Sequence, residues 1–128
     1  MKTSHDRDLI VIDGVSHTFA TNSGTLQVLD DLTLGVPENG FTAIVGPSGC
    51  GKSTVTRLVA GLLKPDSGTV WLQGEKVTSP RATVGMAFQN PVLLEWRSIL
   101  KNVMLPLEIV PNDLNQAARE TRARDLLK

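Results

Sequence analysis

Residues 46–54 read GPSGCGKST, and this stretch constrains the fold more than any other part of the chain. Three glycines concentrate backbone freedom immediately before Lys52. The preceding run FTAIV (41–45) is short and apolar, which predicts a strand buried on both faces, as in a parallel sheet. The following run KSTVTRLVAGLL (52–63) has apolar residues three and four positions apart, which predicts a helix. A strand, a glycine-rich loop and a helix in this order are the required context of the pattern G-x-x-x-x-G-K-[ST].

This glycine-rich loop (residues 46–54) predicts a binding site for a polyphosphate. Backbone N–H groups can surround several phosphates only where side chains do not intervene, and the helix N-terminus adds a partial positive charge. We expect Lys52 to reach the β- and γ-phosphates, the Ser53 hydroxyl to ligate Mg²⁺ and Thr54 to contact the α-phosphate side. The predicted nucleotide-binding residues of the loop are Gly46, Pro47, Ser48, Gly49, Cys50, Gly51, Lys52, Ser53 and Thr54. The alternative, a glycine-rich turn that only caps a helix, is disfavoured by the complete spacing.

The segments on either side of the loop predict antiparallel strands joined by tight turns. LIVI (9–12) and LQVLDDLTLGV (26–36) predict two strands, and ATNSG (20–24) predicts the turn between them. TVWLQGEKV (69–77) predicts a hairpin that turns at Gln73 and Gly74.

After the hairpin, TVGMAFQ (83–89) predicts another buried strand that ends on a polar residue. The composition then shifts to helix: WRSILKNVMLPL is predicted helical until Pro106. The tail from residue 112 onward predicts a second helix with Asn112 or Asp113 as its N-cap.

Composition excludes several classes of function. The chain has 13 lysine and arginine residues and 13 aspartate and glutamate residues, so its formal net charge is zero. Net charge therefore does not indicate binding to nucleic acid or to an acidic membrane surface. Cys50 is the single cysteine, which excludes an internal disulfide and fits a reducing compartment. No apolar run approaches the roughly 18 residues of a membrane span, and the N-terminus does not resemble a signal peptide. His5 and His17 are not in metal-ligand spacing, and both are predicted to lie at the surface.

The loop together with the runs LVAGLLKPDSGTVWLQGEKV and LLEWRSILKNVMLPLEI resembles the ATP-binding subunit of an ABC transporter over essentially the whole chain. The second run is similar to importers of the nitrate, sulfonate and taurine group, although Glu95 stands where that group usually has proline. The resemblance implies an α/β fold with a P-loop NTPase core, an N-terminal antiparallel β subdomain and the start of a helical subdomain. It divides the chain into residues 1–90, the β subdomain and nucleotide-binding core, and residues 91–128, the start of the helical subdomain.

The resemblance also implies roles for residues outside the loop. Gln89 matches the glutamine that contacts Mg²⁺ or the attacking water, so Lys52 and Gln89 are the predicted catalytic residues, and Ser53 and Gln89 the predicted metal ligands. Phe19 matches an aromatic residue that stacks on adenine, and such stacking is physically reasonable. Asp13 ends the run LIVID, which mimics a Walker B motif, but it precedes the loop and is interpreted as an ordinary strand-end residue.

The partners implied by the resemblance are ATP, Mg²⁺, a transmembrane permease, a second ATP-binding subunit in a homodimer and, indirectly, an extracytoplasmic substrate-binding protein. The implied location is peripheral, on the cytoplasmic face of the membrane. The transported solute is expected to be a small anion such as nitrate, a sulfonate or taurine.

Hydrolysis in this family also uses an LSGGQ segment, a Walker B aspartate followed by glutamate, and a switch histidine, none of which follows Gln89. We therefore expect a C-terminally truncated chain that binds ATP without hydrolysing it. We also expect strand 41–45 to lack a neighbour and to leave apolar surface and unpaired backbone exposed, so that the chain is poorly stable or self-associates. The alternatives are a non-catalytic nucleotide-binding fragment and another P-loop NTPase, such as a GTPase or a small-molecule kinase, although no N-K-x-D guanine motif is present.

Overall fold

The structure is a computed structural model that describes residues 8–90 and 93–128. These residues form two compact units, one ending at Val84 and the other beginning at Gly85. The first unit contains strands β1 (Asp8–Thr21), β2 (Gly24–Pro37), β3 (Ser67–Leu72) and β4 (Glu75–Lys76) and helix α1 (Lys52–Val59). The second unit contains helices α2 (Ile99–Ile109) and α3 (Gln116–Leu126).

The four strands form one antiparallel sheet in the order β2-β1-β3-β4. Both predicted turns are confirmed: the chain reverses between Thr21 and Gly24, and again at Gln73 and Gly74. The strand predicted for residues 9–12 continues to Thr21, because β1 pairs with β2 on one side and with β3 on the other. Over residues 10–16 this pairing on both sides satisfies backbone N–H and C=O groups of β1.

Helix α1 packs on this sheet and closes the hydrophobic core. The core side chains are Ile12, Val15, Leu29, Val55, Leu58, Val70, Leu72 and Val77. Val55 and Leu58 come from α1 at the predicted helical spacing, and Leu58 is only 1% exposed. Burial of a leucine or valine side chain stabilises a fold by about 1.5–3 kcal/mol, so this cluster is what holds α1 on the sheet.

Helix α1 is shorter than the periodicity of residues 52–63 predicts, since it ends at Val59. The N–H of Gly61 donates to the carbonyl of Leu58 at 3.1 Å, and the N–H of Leu62 donates to the carbonyl of Arg57 at 2.9 Å. These two bonds are those of a Schellman motif, which satisfies the last carbonyls of a helix and turns the chain away.

The two buried strands predicted for residues 41–45 and 83–89 are wrong, since neither segment belongs to a strand. A strand exists only where a second chain segment accepts and donates its backbone hydrogen bonds, and no described segment pairs with either run. The expected exposure is confirmed for the first run: Phe41 is 95% and Val45 is 87% exposed.

In the second unit, α2 begins after Ser98, whose Oγ accepts from the N–H of Lys101 at 3.3 Å. The helix does not stop at Pro106 as predicted but continues to Ile109. Proline removes one helical N–H donor, which the helix tolerates here because the next turn still forms: the N–H of Val110 donates to the carbonyl of Pro106 at 2.9 Å.

The N-cap of helix α3 lies three residues after Asn112, the earlier of the two predicted N-caps. Its N-cap is Asn115, whose Oδ1 accepts from the N–H of Ala118 at 2.9 Å. Asn112 instead donates to the carbonyls of Leu107 and Val110 at 2.8 and 2.6 Å. Its Oδ1 accepts from the N–H of Leu114 at 3.1 Å, so the whole side-chain amide of Asn112 is engaged in the connection between α2 and α3.

Candidate functional site: the loop before helix α1

The glycine-rich loop leads directly into α1, and the first helical hydrogen bond runs from the N–H of Val55 to the carbonyl of Gly51 at 3.0 Å. The N–H groups of residues 52–54 precede that bond and have no acceptor within the helix. Gly51 is the N-cap and offers no side-chain oxygen to them, and the first turn contains no acidic residue. The N-terminus of α1 therefore presents uncapped amide donors and a partial positive charge, which suits an anion.

The loop is fixed to the sheet through Gly51, at the point where it reaches α1. Gly51 has a φ of 95°, and a Cβ atom added there would lie 2.9 Å from Cδ2 of Leu29 and 3.1 Å from the carbonyl oxygen of Val28. Only glycine combines this left-handed backbone with such a close approach to β2. Packing against β2 thus holds the free amides in one orientation.

Lys52 carries its charge inside the loop. Its Nζ donates to the carbonyl oxygens of Gly46 at 2.8 Å and Pro47 at 2.6 Å, and it lies 3.6 Å from Sγ of Cys50. All three ammonium donors are therefore directed at the loop. Sulfur is a weak acceptor, so a phosphate oxygen would replace it with a stronger, charge-assisted bond.

The remaining loop residues differ in exposure. Ser48, Gly49 and Ser53 are exposed, whereas Thr54 is only 7% exposed. In the part of the chain that the structure describes, the Ser53 hydroxyl makes no hydrogen bond. An exposed, unengaged hydroxyl at the start of a helix fits a ligand for a hard cation such as Mg²⁺. Across the described residues no cluster of three or more His, Cys, Asp or Glu could hold a metal ion by itself.

Phe19 lies on β1, opposite Leu26 of β2, and is half-buried. Its ring contacts the ring of His17, with centroids 4.7 Å apart and an interplanar angle of 89°. His17 in turn pairs with Leu29, the residue against which Gly51 packs. The same β1–β2 hairpin therefore carries the predicted adenine-stacking residue and contacts the glycine-rich loop.

The prediction that His17 lies at the surface is wrong, since this residue is 8% exposed. Period-two alternation in VSHTF could have indicated its position, because Val15, His17 and Phe19 point to one face of a strand. His5 lies outside the described residues. Asp13 is exposed on β1, in keeping with its interpretation as an ordinary strand residue.

Gln89 belongs to the second unit, is exposed and lies in a bend instead of at a strand end. The position predicted for it is wrong because the strand that should present it does not form. Its proposed contact with Mg²⁺ or water stays a prediction. In the described part of the chain, no helix is long and apolar enough to cross a membrane.

Comparison with known proteins places these features among ATP-binding transport proteins. The family model described as ABC transporter matches residues 29–128. A taurine import ATP-binding protein of Rhizobium johnstonii is 37% identical over 121 residues, covering 94% of this chain and 45% of that protein. A methionine import ATP-binding protein of Rhizobium meliloti is 42% identical over 131 residues, covering 94% and 36%. Other relatives are named for nitrate import and bicarbonate transport.

Among solved structures, a dimeric post-hydrolysis state of the ATP-binding cassette MJ0796 bound to ADP and Pi is similar with a TM-score of 0.82 and 27% identity. The match covers 92% of this chain and 55% of that one. The chain thus spans less than half the length of these two curated relatives and about half of the solved cassette. The fold predicted from the sequence, an α/β P-loop core with an antiparallel β subdomain and the start of a helical subdomain, is confirmed by this likeness.

Proposed function

The chain belongs to the ABC transporter family, and from this membership we propose that it is the ATP-binding part of an importer's ATPase subunit. The observation that carries the proposal is the loop before α1. The N-terminus of α1 has no side-chain cap and no acidic residue in its first turn, and the Lys52 ammonium lies within the same loop, bonded to the carbonyls of Gly46 and Pro47. Membership of the family supports ATP as the anion.

The residues present fit a nucleotide. We propose that the amides of residues 46–54 and the Lys52 ammonium hold the phosphates, that Ser53 ligates Mg²⁺, and that Thr54 contacts the α-phosphate side. Phe19 stacks on adenine, which its place on the β1–β2 hairpin supports. Gln89 contacts Mg²⁺ or water in the same proposal. When bound, ATP with Mg²⁺ supplies the γ-phosphoryl group, and these residues hold and orient it.

For the 128 residues themselves we propose ATP binding without hydrolysis. Phosphoryl transfer to water needs positioned groups that orient the water and neutralise developing charge. The LSGGQ segment, the Walker B carboxylates and the switch histidine that the family uses for this purpose do not occur after Gln89. Phosphate binding depends on donors within residues 46–54, so it does not require them.

The partners follow from the same proposal. We propose that a transmembrane permease docks near Gln89 and the helices after it, that a second copy completes a homodimer, and that an extracytoplasmic substrate-binding protein delivers the solute. The subunit would then lie peripherally on the cytoplasmic face of the membrane. A small anion such as nitrate, a sulfonate or taurine is the proposed solute, because LLEWRSILKNVMLPLEI (93–109) is similar to that group of importers.

The test measures nucleotide binding and phosphate release separately on purified chain. We expect ATP to bind with Mg²⁺, phosphate release to stay at background, and Lys52→Ala to weaken ATP binding at least about tenfold, since it removes a charge-assisted contact. Lys64→Ala is the matched control, because Lys64 is exposed and lies outside the loop. Its ATP affinity should change less than about twofold. Unchanged affinity in Lys52→Ala would refute the assignment of the loop, and sustained phosphate release would refute the binding-only proposal.

A further inference from the structure

His17 is a buried polar residue for which nucleotide binding, as proposed above, gives no role. It is 8% exposed, and both ring nitrogens are buried without a hydrogen-bond partner. Buried polar groups normally have hydrogen-bond partners, so a buried imidazole without one needs an explanation. Because both nitrogens are shielded from solvent, the ring acts on a ligand only through its neighbours.

Asp66 is the charged group nearest to His17. One carboxylate oxygen, Oδ2, accepts from the N–H of Thr18 at 2.6 Å, and the other, Oδ1, lies 3.6 Å from Nδ1 of His17. The N–H of Asp66 donates to the carbonyl of Ser16 at 3.0 Å. The segment just before β3 is thereby hydrogen-bonded to Ser16 and Thr18 of β1, and it places the Asp66 carboxylate beside the imidazole of His17.

Phe19 is the other neighbour of His17. The edge-to-face contact at 4.7 Å and 89° is the arrangement that aromatic quadrupoles prefer. Phe19 is half-buried, and its strand partner Leu26 is 56% exposed, so the β1–β2 hairpin alone leaves its ring room to turn. The imidazole removes part of that freedom before any ligand binds.

We propose that His17, with the Asp66 carboxylate beside it, is a positioning residue for Phe19. This inference rests on the proposed function, in which Phe19 stacks on the base of ATP. A ring that is already oriented loses less conformational entropy on stacking, so the His17–Phe19 contact raises affinity for nucleotides that carry a base. Binding of phosphate groups alone depends on residues 46–54 and gains nothing from it.

The experiment compares ATP with inorganic tripolyphosphate, which has the phosphates but no base, by titration calorimetry on the full chain. We expect His17→Ala to weaken ATP binding about 2- to 10-fold, the range of an aromatic pair contact, and to leave tripolyphosphate affinity unchanged. His17→Phe keeps an aromatic edge beside Phe19 and should restore most of the ATP affinity. Asp13→Asn, an exposed change on the same strand, is the matched control and should leave both affinities unchanged.

A double-mutant cycle tests the part played by Asp66. Asp66→Asn keeps an oxygen that can accept from Thr18 but loses the charge near His17, so we expect a smaller loss of ATP affinity than for His17→Ala. In the double variant, Asp66→Asn should cause no loss of ATP affinity beyond that of His17→Ala, because Asp66 acts through His17.

Three outcomes would overturn the inference. Equal weakening of ATP and tripolyphosphate by His17→Ala would show that the residue supports the loop and not Phe19. Unchanged ATP affinity in His17→Ala, when the wild-type chain binds ATP, would show that His17 does not position Phe19. Failure of the wild-type chain to bind either compound would refute the proposed function itself, and with it the inference. Intact tripolyphosphate binding in a variant also shows that the variant is folded around the loop.

Discussion

Residues 41–45 and residues 46–54 are adjacent in the chain, yet they differ in how their structure is determined. The glycine-rich loop is defined largely by contacts close in sequence: Lys52 donates to carbonyls five and six residues earlier, and α1 begins within the loop. The apolar run before it belongs to no strand or helix and is exposed. A helix and its first turn carry their own hydrogen-bond partners, whereas a strand needs partners from another segment.

The largest expected effect is on the free energy of unfolding, and it differs between buried and exposed apolar side chains. Leu58→Ala should lower the free energy of unfolding by about 3–4 kcal/mol, because the 1%-exposed side chain leaves a cavity between α1 and the sheet. Phe41→Ala, at a 95%-exposed side chain, should change it by less than about 0.5 kcal/mol. Urea unfolding followed by circular dichroism measures both. A comparable loss in Phe41→Ala would mean that residues 41–45 do pack against something.

The next largest effect concerns Gly51, whose contact with β2 holds the glycine-rich loop in place. Gly51→Ala should cost about 2–3 kcal/mol and reduce ATP binding, because the added Cβ combines left-handed strain with a clash against β2. Gly49→Ala is the matched control: φ is 83°, but no atom lies within 4 Å of the added Cβ. It should cost only about 1 kcal/mol. Equal losses in thermal unfolding would show that backbone conformation alone, and not contact with β2, determines the loop.

The smallest effect on stability is expected at the exposed run, where association should change instead. The double variant Phe41→Ser, Val45→Ser should alter the free energy of unfolding by less than about 0.5 kcal/mol. It should also shift the chain toward monomer in sedimentation velocity at increasing concentration, because two exposed apolar side chains are removed. If the wild-type chain is already monomeric over that range, the predicted self-association is wrong.

The features that could be predicted from the sequence are those that depend on neighbouring residues. The turns after Thr21 and at Gln73 and the start of α1 directly after the glycine-rich loop are all present. The side chains of the loop were identified by spacing alone, and the structure brings Gly46, Pro47 and Cys50 around the Lys52 ammonium.

The features that could not be predicted depend on partners distant in sequence. An apolar run in residues 83–89 does not reveal whether another strand lies beside it. Asn112 and Asn115 have similar capping propensity, and only the path of the chain after α2 decides which one caps α3. The burial of His17 depends on segments distant in sequence: the residue pairs with Leu29 of β2, and Asp66, 49 positions away, lies beside its ring.

The sequence by itself determined the family, the glycine-rich loop before α1 and the antiparallel hairpins, because turn residues, helix caps and a lysine six residues from its acceptor act over short distances along the chain. Only the tertiary structure decided which apolar runs become strands, how closely Gly51 approaches β2, and which aromatic contact orients Phe19. Those outcomes depend on backbone pairing and side-chain packing between distant segments, and no local pattern specifies the partner.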